Sequence, residues 1–318
     1  MGRYALRRLW QMAPVLLLVS LVVFMIIRLI PGDPAQIIAG PNATPEQLQA
    51  LRQRLGLDQP LWSQYAIWLR NVAMGDFGVS YINKYPVGQL VAQRIPATVE
   101  LALAATLIGV VLALPLGIGA AVRPGSPFDL AVTIFSALSF AIPGFFLLVL
   151  LILLFSLQFQ WLPPSGRPDF GDDPILHLKS LILPAFTLGI GVAAKLVRYL
   201  RSALLEVLDQ DYVRTARAKG AREKLVLMRH ALPNALIPVV TVLGLQLGDL
   251  LSGAIIIESI YAWPGVGRLT IQAIEWRDYS LLQANVLLIV VAFLLVNLLT
   301  DLAYGLLDPR IRYDESQR

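Results

Sequence analysis

Six stretches of the chain stay apolar for about 20 residues, the length that a helix rising about 1.5 Å per residue needs to cross a hydrocarbon layer about 30 Å thick. They lie at residues 13–30, 98–122, 130–157, 181–200, 235–257 and 281–302, and the apolar character of the last reaches Leu307. The runs are continuous and lack the period-two alternation of barrel strands, so they predict helices. The third is long enough to tilt, or to kink at Pro143 and Gly144.

Two polar intervals, 31–96 and 201–234, are too long to be plain connectors. In the first, Thr44, Pro45 and Gln47 make an N-cap, a first-turn proline and a capping-box partner. Leu48, Leu51 and Leu55 follow at helical spacing, and Gly56 ends the helix. A second helix, 61–74, carries Trp62, Tyr65, Trp68, Leu69 and Val72, aromatics that suit either the membrane interface or packing on the first helix of this interval. The other interval reads helix, glycine, helix. Asp211 caps a short helix over 212–219, and Gly220 supplies an elbow that calls for a positive φ. The next helix begins near Arg222 and runs past Pro233 and Pro238 into the fifth span.

Composition sharpens this picture. Of 318 residues, 57% are hydrophobic and 15% are charged, against about 25% charged in soluble domains, which excludes a soluble globule. With no cysteine, the chain has no disulfide framework, thiolate metal site or cysteine nucleophile. It lacks a G-x-x-x-x-G-K-[ST] phosphate loop, so it is not itself an ATPase. His177 and His230 fall in loops expected on opposite sides of the membrane, which leaves no metal constellation and no histidine triad.

The basic residues give an orientation. Arg3, Arg7 and Arg8 precede the first apolar run, which ends in Arg28, Leu29, Ile30 and Pro31 without a small-residue cleavage site, and is expected to remain as an uncleaved span. Arg123 lies between the second and third spans, nine basic residues lie between positions 195 and 229, and Arg310, Arg312 and Arg318 follow the sixth span. All of these share one side if both ends are cytoplasmic, as the positive-inside rule prefers. The expected architecture is all-α and polytopic, with six transmembrane helices, N-in/C-in, and a structured helical external loop after the first span.

The loop after the fourth span resembles the EAA motif of ABC importer permeases, whose pattern is E-A-A, three residues, Gly, nine residues, then I-x-L-P. Aligned on Gly220, Arg214, Thr215 and Ala216 occupy the E-A-A positions, His230 the Ile position, and Leu232 and Pro233 the final pair. The departures are Arg for Glu, Thr for Ala and His for Ile, and the spacing fits without a gap. The stretches Leu29–Ile30–Pro31–Gly32–Asp33–Pro34, Gly75–Asp76–Phe77–Gly78, Trp263–Pro264–Gly265–Val266–Gly267 and Asp308–Pro309–Arg310–Ile311–Arg312 likewise resemble the first permease subunit of the dipeptide, oligopeptide, glutathione and nickel importers.

That resemblance implies a division into residues 1–30 (cytoplasmic N-terminus and first span), 31–96 (external helical loop), 97–308 (permease core with its coupling loop at 201–234) and 309–318 (cytoplasmic tail). It implies a second homologous permease, two ABC ATPase subunits, and a periplasmic or lipid-anchored substrate-binding protein as partners in the lipid bilayer of a bacterial inner membrane, with no nucleic acid. No cofactor is expected on the chain itself; ATP and Mg belong to the partner subunits. Arg214, Thr215, Ala216, Ala218 and Gly220 are the expected ATPase contact, with Leu232 and Pro233 setting the angle into the fifth span. The substrate stays open between small peptides, glutathione and nickel chelates.

Asp249 lies near the middle of the fifth span, where a carboxylate costs about 2.5–3.5 kcal/mol and must face protein or water. Gln246 and Ser252 flank it, and Gly244, Gly248 and Ser252 form a small-residue stripe for close helix approach. Two readings stand. Asp249, with Gln246, Gly248 and Ser252, lines a translocation path, favouring an amino group or setting a charge barrier; or it is a hydrogen-bonded acid that fixes packing. Glu258 is expected to be an interfacial acid, solvated or paired with Arg268. Pro115, Pro143 and Pro184 are hinge candidates. A secondary transporter or a non-transporting scaffold are the other classes compatible with such a chain, and indifference to ATP would mark the former.

Overall fold

The computed structural model describes residues 2–29, 34–39, 43–54 and 56–307; the expected tail 309–318, the Asp308–Arg312 motif, and Leu55 and Gly32 lie outside them. Among the described residues the regular structure is helical, apart from a bridge between Val79 and Pro86, and turns and loops join the helices. The elements are α1 (Gly2–Leu29), α2 (Pro34–Ala39), α3 (Pro45–Arg54), α4 (Leu61–Ala73), α5 (Val87–Val122), α6 (Pro127–Ala141), α7 (Gly144–Leu151), α8 (Pro174–Leu208), α9 (Asp211–Ala218), α10 (Glu223–Leu225), α11 (Leu232–Ile260), α12 (Val266–Glu275) and α13 (Tyr279–Leu307). Helix α7 runs on as a π-helix over Ile152–Gln158, and α10 joins α11 through another, Val226–Ala231.

Five helices are long and apolar enough to cross a membrane: Arg8–Met25, Val87–Val122, Pro174–Leu208, Glu223–Ile260 and Tyr279–Leu302. The third expected span is a broken pair, Pro127–Ala141 and Gly144–Gln158, bent by 102°. The break is larger than a kink because Ile142, clashing with the ring of Pro143, leaves helical geometry for φ −90°, ψ 119°. The helices also overrun the apolar windows: α5 starts at Val87 and α8 at Pro174. Apolarity marks the bilayer edge, whereas capping residues set where a helix ends. Asp173, accepting from the Leu176 amide at 2.9 Å, with Pro174 in the first turn, starts α8.

The chain forms two compact units. One comprises Arg7–Ile95 and Leu269–Ala292. Within it the Thr44–Gln47 capping box forms in both directions, at 3.0 and 3.3 Å, and Gly56 closes α3 at φ +67°. Two aromatics of α4 pack on the first span, a contact that neither reading named: the rings of Tyr65 and Trp68 lie 5.2 and 5.7 Å from Phe24 of α1, with Tyr65 Oη 2.8 Å from Ser20 Oγ. Trp62 points outward. Val87, Val91, Leu269, Ala273, Leu281 and Ala284 make a second apolar cluster in this unit.

The other unit comprises Met1–Leu6, Pro96–Arg268 and Phe293–Arg318. Its interior is built inside-out relative to a soluble bundle: on α5, Ala105, Ala113 and Ala120 face the protein while Leu103, Leu107 and Val111 face outward. Lipid is as apolar as leucine, so helix contact is won by close approach between small residues. Gly189 of α8 illustrates it, since a Cβ there would meet the Ala105 carbonyl at 2.9 Å. Val192, Leu196, Leu200 and Leu204 then pack along α8 with Ala235, Val239 and Leu250 of α11.

Candidate functional site

The elbow between α8 and α11 is the first candidate surface. Asp211 does not cap α9; Gln210 holds the cap position without a side-chain bond, and Asp211 is the first helical residue, where its charge still complements the helix dipole. Gly220 has φ +80°, the left-handed conformation expected of it, and a Cβ there would meet no other residue, so its requirement is conformational. Three contacts hold α9: Val213 is fully buried beneath it, and at the surface Arg217 forms a two-point pair with Glu223 across the glycine (2.7 and 3.1 Å) while Asn234 Nδ2 donates to Tyr212 Oη at 2.8 Å.

Arg214, Thr215, Ala218 and Gly220 are exposed together, while Ala216 is half-buried. Arg214 pairs with Asp209 at 2.8 Å and lies 3.6 Å from Asp211; hydrogen bonding to Asp209 raises its pKa above the ordinary arginine value. Leu232 is buried in the bundle and Pro233 exposed, so these two orient α11 and α9 carries the free surface. The π-helical stretch Val226–Ala231 ends just before Pro233, which cannot donate its own i→i−4 hydrogen bond; a locally wider register accommodates it.

The second candidate is the open face of α11. Leu245, Asp249, Ser252 and Ile256 are exposed along it. Asp249 Oδ2 accepts from Lys195 Nζ of α8 at 2.9 Å and from Gln246 Nε2 at 3.3 Å. Gln246 itself is only 7% exposed, so it reaches this face through that bond alone. Gly248, expected on the path, faces inward instead: a Cβ there would come within 2.5 Å of the Phe293 ring, and one on Gly244 within 1.9 Å of Thr300 Cγ2. The stripe therefore splits, its glycines seating α13 and Ser252 staying open.

At the far end of α11, Glu258 is fully buried and neither solvated nor ion-paired with Arg268. It accepts from Thr98 Oγ1 at 2.7 Å and from the Arg268 backbone amide at 3.1 Å, while the Arg268 side chain turns to the Ala262 carbonyl. The Trp263–Gly267 segment folds around it: Gly265 and Gly267 leave room for its carboxylate, the Val266 amide donates to Thr98 Oγ1, and Trp263 Nε1 donates to the Ala97 carbonyl. Tyr261 donates to the Pro163 carbonyl at 2.8 Å, and burial holds its pKa above the ordinary tyrosine range.

Histidine 177 is not a loop residue. It lies in α8, buried, bonded through Nδ1 to the Pro168 carbonyl and through Nε2 to Glu100, which Arg167 also clamps at 2.7 and 2.9 Å. Asp129 and Arg201 form a further missed pair, tying the start of α6 to α8 at 2.7 Å. Among the described residues no group of three or more His, Cys, Asp or Glu is placed to hold a metal.

This bundle matches solved transporters. The MetNI methionine ABC transporter superimposes with a TM-score of 0.57 at 21% identity, covering 69% of this chain and 97% of that one. An amino acid ABC transporter with histidines gives 0.51 at 19%, covering 70% and 94%. The fold is thus that of an ABC transporter membrane subunit.

Sequence comparison narrows the class. The glutathione transport system permease protein GsiC of Escherichia coli K12 is 42% identical over 315 residues, covering 98% of this chain and all of the relative, and GsiC of Shigella dysenteriae matches to the same extent. Residues 113–313 match the family described as binding-protein-dependent transport system inner membrane component, and residues 1–102 match its N-terminal companion. The chain belongs to that family: it is a permease subunit of an ABC importer and a multi-pass protein of the bacterial inner membrane. Such a permease works with ATPase and substrate-binding components.

Proposed function

We propose that this chain forms half of a path for small peptide-like solutes, beside a second homologous permease, and that the elbow at Gly220 receives the motion of an ATPase dimer. The observation that carries the reading is the exposed face of Arg214, Thr215, Ala218 and Gly220, presented on a helix anchored by buried Val213 and by the surface Arg217–Glu223 pair. A lever must be stiff and accessible at once, and this segment is both. Coupling then follows from differential contact: α9 binds closed and open ATPase dimers unequally, and ATP-driven closure biases the bundle.

In this account both termini are cytoplasmic, which places the basic residues from Arg201 to Arg229 on the ATPase side. The chain catalyses nothing and binds no cofactor; ATP and Mg sit on the partners. Asp249 and Ser252 line the path, Gln246 holds Asp249, and Gly248 seats α13 against α11. The external segment 31–96 docks the periplasmic or lipid-anchored binding protein or caps the path. Relatives named for glutathione transport support glutathione and short peptides as the substrate class.

Gly220→Leu tests the coupling. The variant is expected to insert and assemble with its partners, while transport and binding-protein-stimulated ATP hydrolysis fall roughly tenfold or more, within the usual range of coupling energies. Normal transport by Gly220→Leu contradicts the assignment.

A further inference from the structure

We infer that Lys195 and Asp249 together form a specificity site for a solute head group carrying an ammonium and a carboxylate on the same carbon. The inference rests on the reading of the α11 face as the path, and adds to it a second residue and a ligand chemistry. Lys195 Nζ and Asp249 Oδ2 lie 2.9 Å apart, and the two side chains are 32% and 61% exposed. Along α11, Asp249 is eleven residues before Ile260, about 16 Å at 1.5 Å per residue, hence deep in the bilayer. A pair so open at that depth cannot face lipid, where each charge costs about 2.5–3.5 kcal/mol, so its open side faces protein or water, and with this face as the path it is the water that carries the solute.

The pair also has unused bonding capacity. Both contacts to Asp249 use Oδ2, and Oδ1 takes no hydrogen bond among the described residues; the Lys195 ammonium has three donors, of which one is engaged. An incoming ammonium can bond Oδ1 while a carboxylate bonds Nζ, without breaking the pair. Because the two charges nearly touch, a ligand that meets both must carry its own charges equally close. The termini of an extended peptide stand apart by about 3.3–3.6 Å per residue and satisfy only one member. The pair is neutral overall, so it neither traps a simple anion nor a simple cation. Ser252, exposed three residues beyond Asp249, adds a hydroxyl to the same face.

The test uses the complete importer with its binding protein in proteoliposomes. Its probes are glutathione, whose γ-glutamyl end carries such a head group, N-acetylglutathione, which lacks the ammonium, and γ-aminobutyryl-cysteinylglycine, which lacks the carboxylate. Wild type is expected to move glutathione about tenfold faster than either analogue, the worth of one charge-assisted hydrogen bond. Lys195→Met should abolish only the preference over the aminobutyryl analogue, and Asp249→Asn only the preference over the acetylated one. The double variant Lys195→Met/Asp249→Leu, which leaves no lone charge, should move all three at similar rates. Equal losses for every probe in both single variants, or a double variant with wild-type selectivity, overturns the site while leaving the path intact. Wild type that moves none of the probes yet couples ATP hydrolysis to another solute overturns the peptide reading itself.

Discussion

Glu258 shows how a single side chain organises the far end of the bundle. Its carboxylate is the shared acceptor for Thr98 and the first turn of α12, and glycines at 265 and 267 make its pocket. Removing it strands buried donors, each worth about 1–3 kcal/mol. Glu258→Ala is therefore expected to lower stability by roughly 2–4 kcal/mol, read as thermal unfolding of the purified protein, with Glu258→Gln losing clearly less because an amide oxygen still accepts. Equal loss in the two variants contradicts the hydrogen-bond account. In sequence, Glu258 could be placed near a membrane edge, but its partner Thr98 is 160 residues away, and nothing local announces that bond. The same holds for Asp129 with Arg201, 72 residues apart, and for Lys195 with Asp249, 54 apart. Charges inside apolar runs were legible as exceptions; their pairings were not.

Among the elements, the legible features are those written in adjacent residues: the Thr44–Gln47 box, Gly56 as a helix stop, Gly220 as an elbow, and the place of a bend at Pro143, though not its size. What was not legible is how far helices extend past the apolar windows, and the short helix α12, because both depend on contacts made elsewhere in the chain. The small-residue stripe of α11 was visible as spacing, yet which neighbour it receives is decided by packing. That packing makes a prediction. Gly244→Ala places a methyl 1.9 Å from Thr300 Cγ2 and should cost about 1–3 kcal/mol as overpacking, while adding Thr300→Ala should recover most of the loss. Measured by thermal unfolding in detergent, additive losses in the double variant contradict direct contact between these residues.

For the whole molecule, the scarcity of charge is the organising fact: with 15% charged residues, those that remain mark the working parts. Basic residues border the elbow, one ion pair opens onto the α11 face, and the buried acid Glu258 ties the far end together. The fold class, the six apolar stretches and the family resemblance were all legible in sequence, since the bilayer imposes length and apolarity so strongly. The central claim concerns the elbow: α9 meets the ATPase, and the contact changes with nucleotide. The absence of native cysteine lets a single Ala218→Cys report on it without background from this chain. Cross-linking of that cysteine to the ATPase subunit in the assembled importer should occur readily and change several-fold in rate between nucleotide-free and ATP-bound complexes. No cross-link to the ATPase, or a rate unmoved by nucleotide in an importer that still transports, contradicts the account.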